Sequence, residues 1–440
     1  MSQPRRLSRE LPGLVGQEVR VAGHLQDYRA LGGVAFALLR DRGGLLQVTL
    51  KKGETDPAIF TLFSSLARES VVEAEGVVAA NPRARVGAEV LPRQARLLNP
   101  AAAPLPLGVA DRVGVELDTR FNHRVLDLRK PENQLVVEFR AETLKAVRSA
   151  FGTLGFLEVE TPKILRQGAE GGATLFRLDY FGEPAYLAQS PQLYKQMLMA
   201  TELERIFEIA PAFRAEPSDT TRHVTEFTSI DAEMAYVEEP EELISTVEAL
   251  VAGMLTELRD GLKARKHPLA DDLPTPSRPF PRLPFSEAAQ WLGRSPGDPG
   301  AEADLSPEDE RQLGELMQER KGAEFYFLTE FPTSLKRGTF YAQRQESHPE
   351  RTYYFDLEFR GQEMLSGGLR EHRLDRLEDQ IREAGLDPGK FGAYLEAFRY
   401  GMPPHGGFAL GLDRLVGRLA HLTNVREARL FPRDRYRLEP

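Results

Sequence analysis

The sequence predicts a two-domain α/β protein of the α+β type, with a small N-terminal β-barrel followed by a larger mixed domain. Five extended apolar segments follow one another in the first 100 residues, with one helical pattern after the third. From about Asp118 onward, long helical patterns alternate with strands. A chain of 440 residues, 41% hydrophobic and 28% charged, has room for two or three domains with sizeable cores.

The first domain is predicted to be an OB barrel because a helix follows the third of its five strands. The predicted strands are Glu18 to Gln26, Val34 to Arg40, Leu45 to Leu50, Val71 to Ala80 and Glu89 to Leu98, and the predicted helix is Pro57 to Ala67. Such barrels bind oligonucleotides around their second and third strands, which here carry Phe36 and Gln47. An aromatic ring there can stack an unpaired base and an amide can read its edge. Taken singly, a core Phe36 and a solvated Gln47 are the commoner interpretations.

Charge distinguishes the two parts of the chain. Residues 1–100 contain 14 Lys and Arg against 10 Asp and Glu, a net charge of +4. Because the net charge of the whole chain is −9, the remaining residues have a net charge of −13. The acidic whole disfavours indiscriminate coating of nucleic acid, but a local basic module can still bind a polyanion. Residues 99–107, with three prolines and three alanines, predict an extended linker. We therefore expect domains at 1–100 and 119–440, joined by a linker at 101–118.

Several classes of protein are disfavoured. The start, MSQPRRLSRE, has no apolar run behind it, and no span approaches twenty apolar residues. We therefore expect neither a signal peptide nor a membrane span, and we expect the protein to be cytoplasmic. The chain has no cysteine, which excludes disulfides, thiol nucleophiles and cysteine zinc sites.

The segment from Phe213 to Asp231 places two arginines, a histidine and several acids around one aromatic residue. It lies between two predicted strands, Ile206 to Phe213 and Val224 to Tyr236, with turn-forming residues at 217–221. Guanidinium groups match phosphate oxygens, a histidine adds a donor, and an aromatic ring offers a face for a flat base. The candidate ligands of a polyphosphate and its base are Arg214, Arg222, His223 and Phe227. Alone, such a pattern is more often a solvated charged hairpin.

Further motifs lie on both sides of this hairpin. A helical stretch, Glu132 to Leu154, is followed by GFLEVETP, a short predicted strand that ends at Pro162. The helix, strand and proline together could form a dimer interface, or the helix could simply pack on a sheet. The others are EGGATLF from Glu170, QSPQLYKQ from Gln189, YYFDLEFRGQEMLSGGLREHR from Tyr353 and GGFALGLDRL from Gly406. Together, in this order, they resemble the three motifs and substrate segments of a class II aminoacyl-tRNA synthetase.

The resemblance covers nearly the whole chain. Motif one is similar to Gly155 to Pro162, motif two to Phe213 to Asp231, and motif three to Gly406 to Leu415. The OB barrel narrows the likeness to the aspartyl, asparaginyl and lysyl subgroup, and QSPQLYKQ with LSGGLREHR resembles the aspartyl-tRNA synthetases. The length, without room for a large insertion, resembles their archaeal type. This likeness implies a catalytic domain with an antiparallel sheet flanked by helices, and a homodimer.

The resemblance also implies a reaction and roles for residues. Aspartate attacks the α-phosphorus of ATP, and the aspartyl group then passes from the adenylate to the 3′ end of tRNA. Arg214 would bridge the α-phosphate and the substrate carboxylate, and Arg222 with His223 would hold the outer phosphates. Arg414 with Phe227 would enclose the adenine. Glu216, Glu363 and Gly411 complete the implied ATP site.

The implied metal group consists of Asp356, Glu363 and Ser366, whose hard oxygen atoms suit Mg²⁺. Without the resemblance, two acids seven residues apart are more often surface carboxylates. For aspartate, the likeness implies that Lys195 and Arg370 converge on the side-chain carboxylate.

The same likeness places other residues around L-aspartate. Glu170 and Asp231 would receive the α-ammonium, Gln192 would supply hydrogen bonds, and Arg214 with Ser366 would complete the pocket. Leu369 stands where glutamine is more usual, which leaves the neighbouring arginine in place.

The choice of tRNA is expected to depend on two positions of the barrel. Relatives that charge only tRNA(Asp) resemble one another in a tryptophan near position 24 and a lysine near position 82, where this chain has His24 and Pro82. The likeness therefore implies charging of both tRNA(Asp) and tRNA(Asn). The alternatives are an enzyme strict for tRNA(Asp), an asparaginyl-tRNA synthetase, a tRNA-independent amino-acid ligase and a non-catalytic RNA-binding relative.

Overall fold

The structure is a computed structural model that describes residues 4–111, 113–168, 175–215, 220–294 and 303–440. The chain divides into two compact units, Met1–Glu116 and Leu117–Pro440. In the part of the chain that is described, no helix is both long enough and apolar enough to cross a membrane.

The N-terminal unit is a closed five-stranded barrel, which confirms the predicted OB fold. Its elements are β1 (Glu18–Leu31), β2 (Val34–Asp41), β3 (Gly44–Lys51), α1 (Pro57–Ser65), β4 (Val71–Ala80) and β5 (Ala88–Asn99). The strand order around the barrel is β1, β2, β3, β5 and β4. Buried and outward residues alternate along β2, so that Ala35, Ala37 and Leu39 fill the core while Phe36 faces outward. The interpretation of Phe36 as a core residue is therefore wrong.

The second unit combines ten helices and eleven strands within the described residues. The helices are α2 (Leu117–Asn122), α3 (Arg124–Asp127), α4 (Pro131–Thr153), α5 (Gln192–Leu198), α6 (Pro240–Ala264), α7 (Phe285–Trp291), α8 (Pro307–Lys321), α9 (Leu374–Glu383), α10 (Gly392–Arg399) and α11 (Leu412–Leu419). The strands are β6 (Leu157–Glu158), β7 (Ile164–Leu165), β8 (Arg177–Tyr180), β9 (Glu183–Leu187), β10 (Arg205–Phe213), β11 (Glu226–Ala235), β12 (Arg282–Pro284), β13 (Phe325–Thr329), β14 (Tyr354–Phe359), β15 (Glu363–Leu369) and β16 (His405–Gly411).

Eight of these strands form one sheet in the order β12, β13, β14, β15, β16, β11, β10 and β6. The six central strands are antiparallel, as expected, whereas β12 and β6 join the two edges in parallel. The strands β7, β9 and β8 form a separate small sheet.

The two faces of the large sheet differ in chemistry. One face packs against α4 and α6 in the main hydrophobic core, to which β14 contributes Phe355, Leu357 and Phe359. Because neighbouring residues of a strand point to opposite faces, Asp356 and Glu358 lie on the other face. The same alternation places Asp231 and Glu233 of β11 there, between the core residues Ile230, Ala232 and Met234. The opposite face therefore collects buried polar side chains.

Candidate active site

The strands β10 and β11 form an antiparallel hairpin in which Phe213 pairs with Glu226. Arg214 follows β10 directly, and its amide donates to the Thr225 carbonyl over 2.9 Å. Arg222 and His223 lie just before β11, and Phe227 is its second residue. Glu216, which was expected to join this group, lies outside the described residues.

A cavity of about 210 Å³ opens between this hairpin, β15 and the start of α11. Of the residues expected to bind ATP, all those that the structure describes line it: Arg214, Arg222, His223, Phe227, Glu363, Gly411 and Arg414. Ser366 lines it as well. Residues that are far apart in sequence thus converge on one cavity of mainly cationic character.

One cation of this cavity lies over an aromatic ring. The Arg214 guanidinium carbon lies 5.2 Å from the centroid of the Phe227 ring, a cation–π distance. Arg214 Nε is buried and has no hydrogen-bond partner among the residues that the structure describes. Arg414 Nη1 lies 3.9 Å from Glu363 Oε2. Arg214 therefore has an unused buried donor, which suits an anionic ligand.

Asp413, which was not singled out in the sequence, connects α11 to the hairpin. Its Oδ2 accepts a hydrogen bond from the Thr228 amide over 2.8 Å. Its Oδ1 pairs with Arg140, and its Oδ2 also pairs with Arg429. Asp413 is buried. These contacts fix the first turn of α11, and with it the backbone that carries Arg414.

A buried network of two cations and two carboxylates lies beneath the cavity. Lys195 Nζ donates to Asp231 Oδ1 over 3.1 Å and lies 3.3 Å from Glu233 Oε2. Arg370 Nε donates to Glu233 Oε1 over 2.8 Å. Both cations are at least 97% buried. The structure thus brings together Lys195, Asp231 and Arg370 from three separate motifs, as expected, and adds Glu233.

Glu233, like Asp413, is a buried acid that was not singled out in the sequence. Burial alone raises the pKa of a carboxyl group, but Arg370 and Lys195 bring the pKa of Glu233 below its ordinary value. The charged carboxylate therefore orients both cations. A signal was available, because Asp231 and Glu233 alternate with apolar residues on a buried strand.

Gly407 on β16 leaves space for this carboxylate. A Cβ atom at this position would lie 1.9 Å from Glu233 Oε2 and 2.3 Å from the Ala232 carbonyl oxygen. Gly407→Ala is expected to lower the free energy of unfolding by about 1–3 kcal/mol, because backbone and a buried acid have to shift. Thermal unfolding measures this change as a lower Tm.

The matched control for that substitution is Gly417→Ala in α11. A Cβ atom there meets no atom within 4 Å, so the change should raise stability by about 0.5–1 kcal/mol. An unchanged or higher Tm of the Gly407 variant would contradict the described packing.

The network connects to the cavity through Ser229. Ser229 Oγ donates to Asp231 Oδ2 and also lines the cavity. Arg370 Nη1 and Gln192 Nε2 are buried donors with no hydrogen-bond partner in the described part of the chain. Buried donors without partners, one of them on a cation of the network, indicate that a ligand rich in acceptor atoms completes this site. Glu170, expected to contact the same ligand, lies outside the described residues.

The expected metal group lies at the side of the cavity. Asp356 pairs with Ser366 across β14 and β15, and Ser366 Oγ donates to Asp356 Oδ1. Residues three apart in a regular strand face opposite sides, but the register shift at Leu357 and Glu358 lets Glu363 and Ser366 line the same cavity.

The chemistry of this group fits a hard divalent cation. Burial raises the pKa of Asp356 to about 6, with Lys336 opposing the rise and Glu363 adding to it. The described residues contain no set of three or more His, Cys, Asp and Glu side chains suited to a metal. Two carboxylates and a hydroxyl are enough for Mg²⁺, which keeps several waters and shares its shell with phosphates.

On the barrel, Phe36 and Gln47 both lie on the outer face, as expected. Phe36 pairs with Thr49, and Gln47 Nε2 donates to Glu89 Oε2 over 2.8 Å. Glu89 Oε2 also accepts from Asn81 Nδ2 over 2.7 Å, so Glu89 joins β3 to the turn after β4. Gln47 is therefore held by a partner, and its interpretation as a merely solvated side chain is incomplete.

The two positions expected to govern the choice of tRNA lie apart on the barrel. His24 is half-buried on β1, where it pairs with Val71 at the start of β4. Pro82 is exposed in the turn that follows the end of β4.

The fold and the cavity define a class II tRNA synthetase domain joined to an OB domain. The model of the tRNA synthetases class II (D, K and N) matches residues 116–435, and that of the OB-fold nucleic acid binding domain matches residues 19–98. The chain belongs to the class II tRNA synthetases of the D, K and N group, which confirms the predicted enzyme class, a ligase.

Individual relatives are similar over almost their whole length. The chain is 47% identical to the aspartate–tRNA(Asp) ligase of Thermococcus kodakarensis, covering 97% of each protein. It is 43% identical to the aspartate–tRNA(Asp/Asn) ligase of Methanopyrus kandleri, covering 97% of this chain and 96% of that protein. The solved asparaginyl-tRNA synthetase of Pyrococcus horikoshii, complexed with asparaginyl-adenylate, superposes with a TM-score of 0.88 at 31% identity over 98% of each chain. The predicted resemblance to the aspartyl-tRNA synthetases is confirmed.

Proposed function

We propose that the enzyme activates L-aspartate with ATP and transfers it to the 3′ end of tRNA. The observation that carries this proposal is the pair of buried donors, Arg370 Nη1 and Gln192 Nε2, that have no partner in the described structure. Arg370 and Lys195 both contact the Glu233 carboxylate. A carboxylate offers only acceptors, whereas a carboxamide turns an NH₂ group toward one of the donors. The site therefore suits aspartate better than asparagine.

The residues of the cavity align the two reactants. Arg214 bridges the α-phosphate and the α-carboxylate, where its positive charge stabilises the oxygens that gain charge as the new bond forms. Arg222 and His223 hold the outer phosphates, while Phe227 and Arg414 enclose the adenine near Gly411. Glu216 and Glu363 complete the ATP site. For the amino acid, Asp231 and Glu170 receive the α-ammonium, and Ser366 lies at the boundary with ATP.

Asp356, Glu363 and Ser366 would hold Mg²⁺, which supplies positive charge to the phosphates of ATP. We further propose a cytoplasmic homodimer. The exposed apolar residue Leu157 supports it, because it lies in the segment that resembles motif one.

For the tRNA, we propose that both tRNA(Asp) and tRNA(Asn) are charged. Phe36 stacks an anticodon base and Gln47, oriented by Glu89, reads a base edge. His24 and Pro82 leave the third anticodon base loosely recognised, so that C and U are both accepted. An aspartate–tRNA(Asp/Asn) ligase is among the relatives similar to this chain, as is an aspartate–tRNA(Asp) ligase, so the similarity is compatible with this proposal.

Aminoacylation of tRNA(Asp) and tRNA(Asn) transcripts, with aspartate and asparagine supplied in turn, tests this proposal. Aspartate is expected to be attached to both tRNAs and asparagine to neither. In the double variant His24→Trp/Pro82→Lys, charging of tRNA(Asn) should fall at least about tenfold while that of tRNA(Asp) is kept, since one mismatched base contact costs roughly 1–3 kcal/mol. Wild-type charging of tRNA(Asp) alone would contradict the relaxed specificity.

A further inference from the structure

The helix α8 carries an acid that contacts Arg222, a residue lining the proposed ATP cavity, from a segment that carries none of the motifs. Glu310 Oε2 accepts from Arg222 Nη1 over 3.0 Å, and both side chains are partly buried. The sequence from 261 to 310 is rich in prolines and acids and gave no indication of chemistry. Glu310 and Arg222 are 88 residues apart, so only the fold brings them together.

The position of Glu310 is fixed by close backbone packing. A Cβ atom on Gly314 of α8 would lie 2.4 Å from the Gly361 amide nitrogen, and one on Gly361 would lie 2.6 Å from the Glu310 carbonyl oxygen. Gly361 belongs to the turn between β14 and β15, two residues before Glu363. The helix α8 is thus held directly against the turn that leads into the cavity.

Glu310 balances a group of cations. The positive charges of Arg222 and Arg414 both attract the Glu310 carboxylate. The charge of Arg222 also repels that of Arg418. Burial raises the pKa of Glu310, with the arginines opposing and Glu363 adding to the rise. Guanidinium groups that converge in this way repel one another, and a fixed anion between them holds each in one place.

The geometry points to Glu310 as the positioning residue for Arg222, an inference that rests on the proposed binding of ATP in this cavity. Glu310 accepts a hydrogen bond from Arg222 Nη1. Because the guanidinium group is planar, this contact also orients the remaining donors of Arg222. A free arginine side chain has many rotamers, and holding it in place before ATP arrives lowers the cost of binding. Glu310 itself does not contact the reacting atoms; it acts through Arg222.

The test is aspartate-dependent ATP–pyrophosphate exchange by the full chain with Glu310→Gln. The KM for ATP should rise about tenfold, while kcat and the KM for aspartate stay within about twofold, because an outer-phosphate contact is lost rather than one made only in the transition state. The matched control is Glu308→Gln, two residues earlier on α8, whose partner is the exposed Arg311. It should leave all three constants unchanged.

A double-mutant cycle separates positioning from a structural role. In an Arg222→Ala background, Glu310→Gln should have no further effect on the KM for ATP. An equal effect in both backgrounds would overturn the inference, as would an unchanged or lower KM in the single variant, since a lower value means that Glu310 competes with phosphate for Arg222. Absence of wild-type exchange contradicts the proposed function and the inference together, whereas normal wild-type exchange without coupling contradicts the inference alone.

Discussion

Replacing Lys195 with glutamine is expected to lower kcat/KM for aspartate by about 10³- to 10⁴-fold, because sites built to pair a polar substrate group lose discrimination of this order when the pairing fails. Lys195 is buried between Asp231 and Glu233 and pairs with both acids. In the proposed function its charge also pairs with the substrate carboxylate. ATP–pyrophosphate exchange at varied aspartate concentration measures the effect.

The same substitution leaves buried carboxylates with fewer partners, which costs about 3–5 kcal/mol of stability when an ion pair is fully buried. Lys163→Gln is the matched control, because it removes a lysine whose Nζ lies 2.7 Å from Glu208, in a partly buried pair outside the cavity. Both variants should lose stability, but only the Lys195 variant should lose aspartate use. Near-normal aspartate-dependent exchange by a folded Lys195 variant would rule out its proposed role.

Replacing Arg214 with alanine is expected to lower kcat by about 10²- to 10³-fold, the loss typical of removing one donor aimed at transition-state charge. Its guanidinium lies over Phe227 with an unused buried Nε, and in the proposed function it bridges the two reactants. The KM for ATP should change by less than about fivefold, since other residues hold the outer phosphates. Single-turnover formation of the adenylate measures the chemical step.

Arg205→Ala provides the control for this variant. Arg205 begins β10, at the other end of the strand from Arg214, and its guanidinium carbon also lies over a phenylalanine ring, 6.0 Å from the centroid of Phe156. Losing this arginine should leave kcat within about twofold of wild type, because a cation–π contact at an exposed site contributes only about 0.5–1 kcal/mol. A raised KM with unchanged kcat in the Arg214 variant would show that Arg214 binds ATP without stabilising the transition state.

Much of the fold was predictable because it depends on local patterns. Buried and outward residues alternate along most of β2, and the structure reproduces β4 at the predicted residues and extends the predicted first strand to Leu31. The hairpin with Arg214 and Arg222 was also predictable, since turn-forming residues separate two extended segments.

Other parts of the site depend on contacts that the sequence does not reveal. The register shift near Glu358 places Glu363 beside Ser366, although their spacing of three predicts opposite faces. Glu310 reaches Arg222 only because two glycine backbones, at 314 and 361, come together. Such arrangements follow from tertiary packing, so no local pattern predicts them.

Amino-acid-dependent ATP–pyrophosphate exchange by the wild-type enzyme tests the central claim most directly, because it reports adenylate formation without tRNA. With Mg²⁺ present, aspartate is expected to support rapid exchange, and asparagine and lysine at equal concentration should support less than about 10⁻³ of that rate. Exchange that depends on asparagine or lysine rather than aspartate would contradict the proposed pairing of Lys195, Arg370 and Gln192 with a substrate carboxylate.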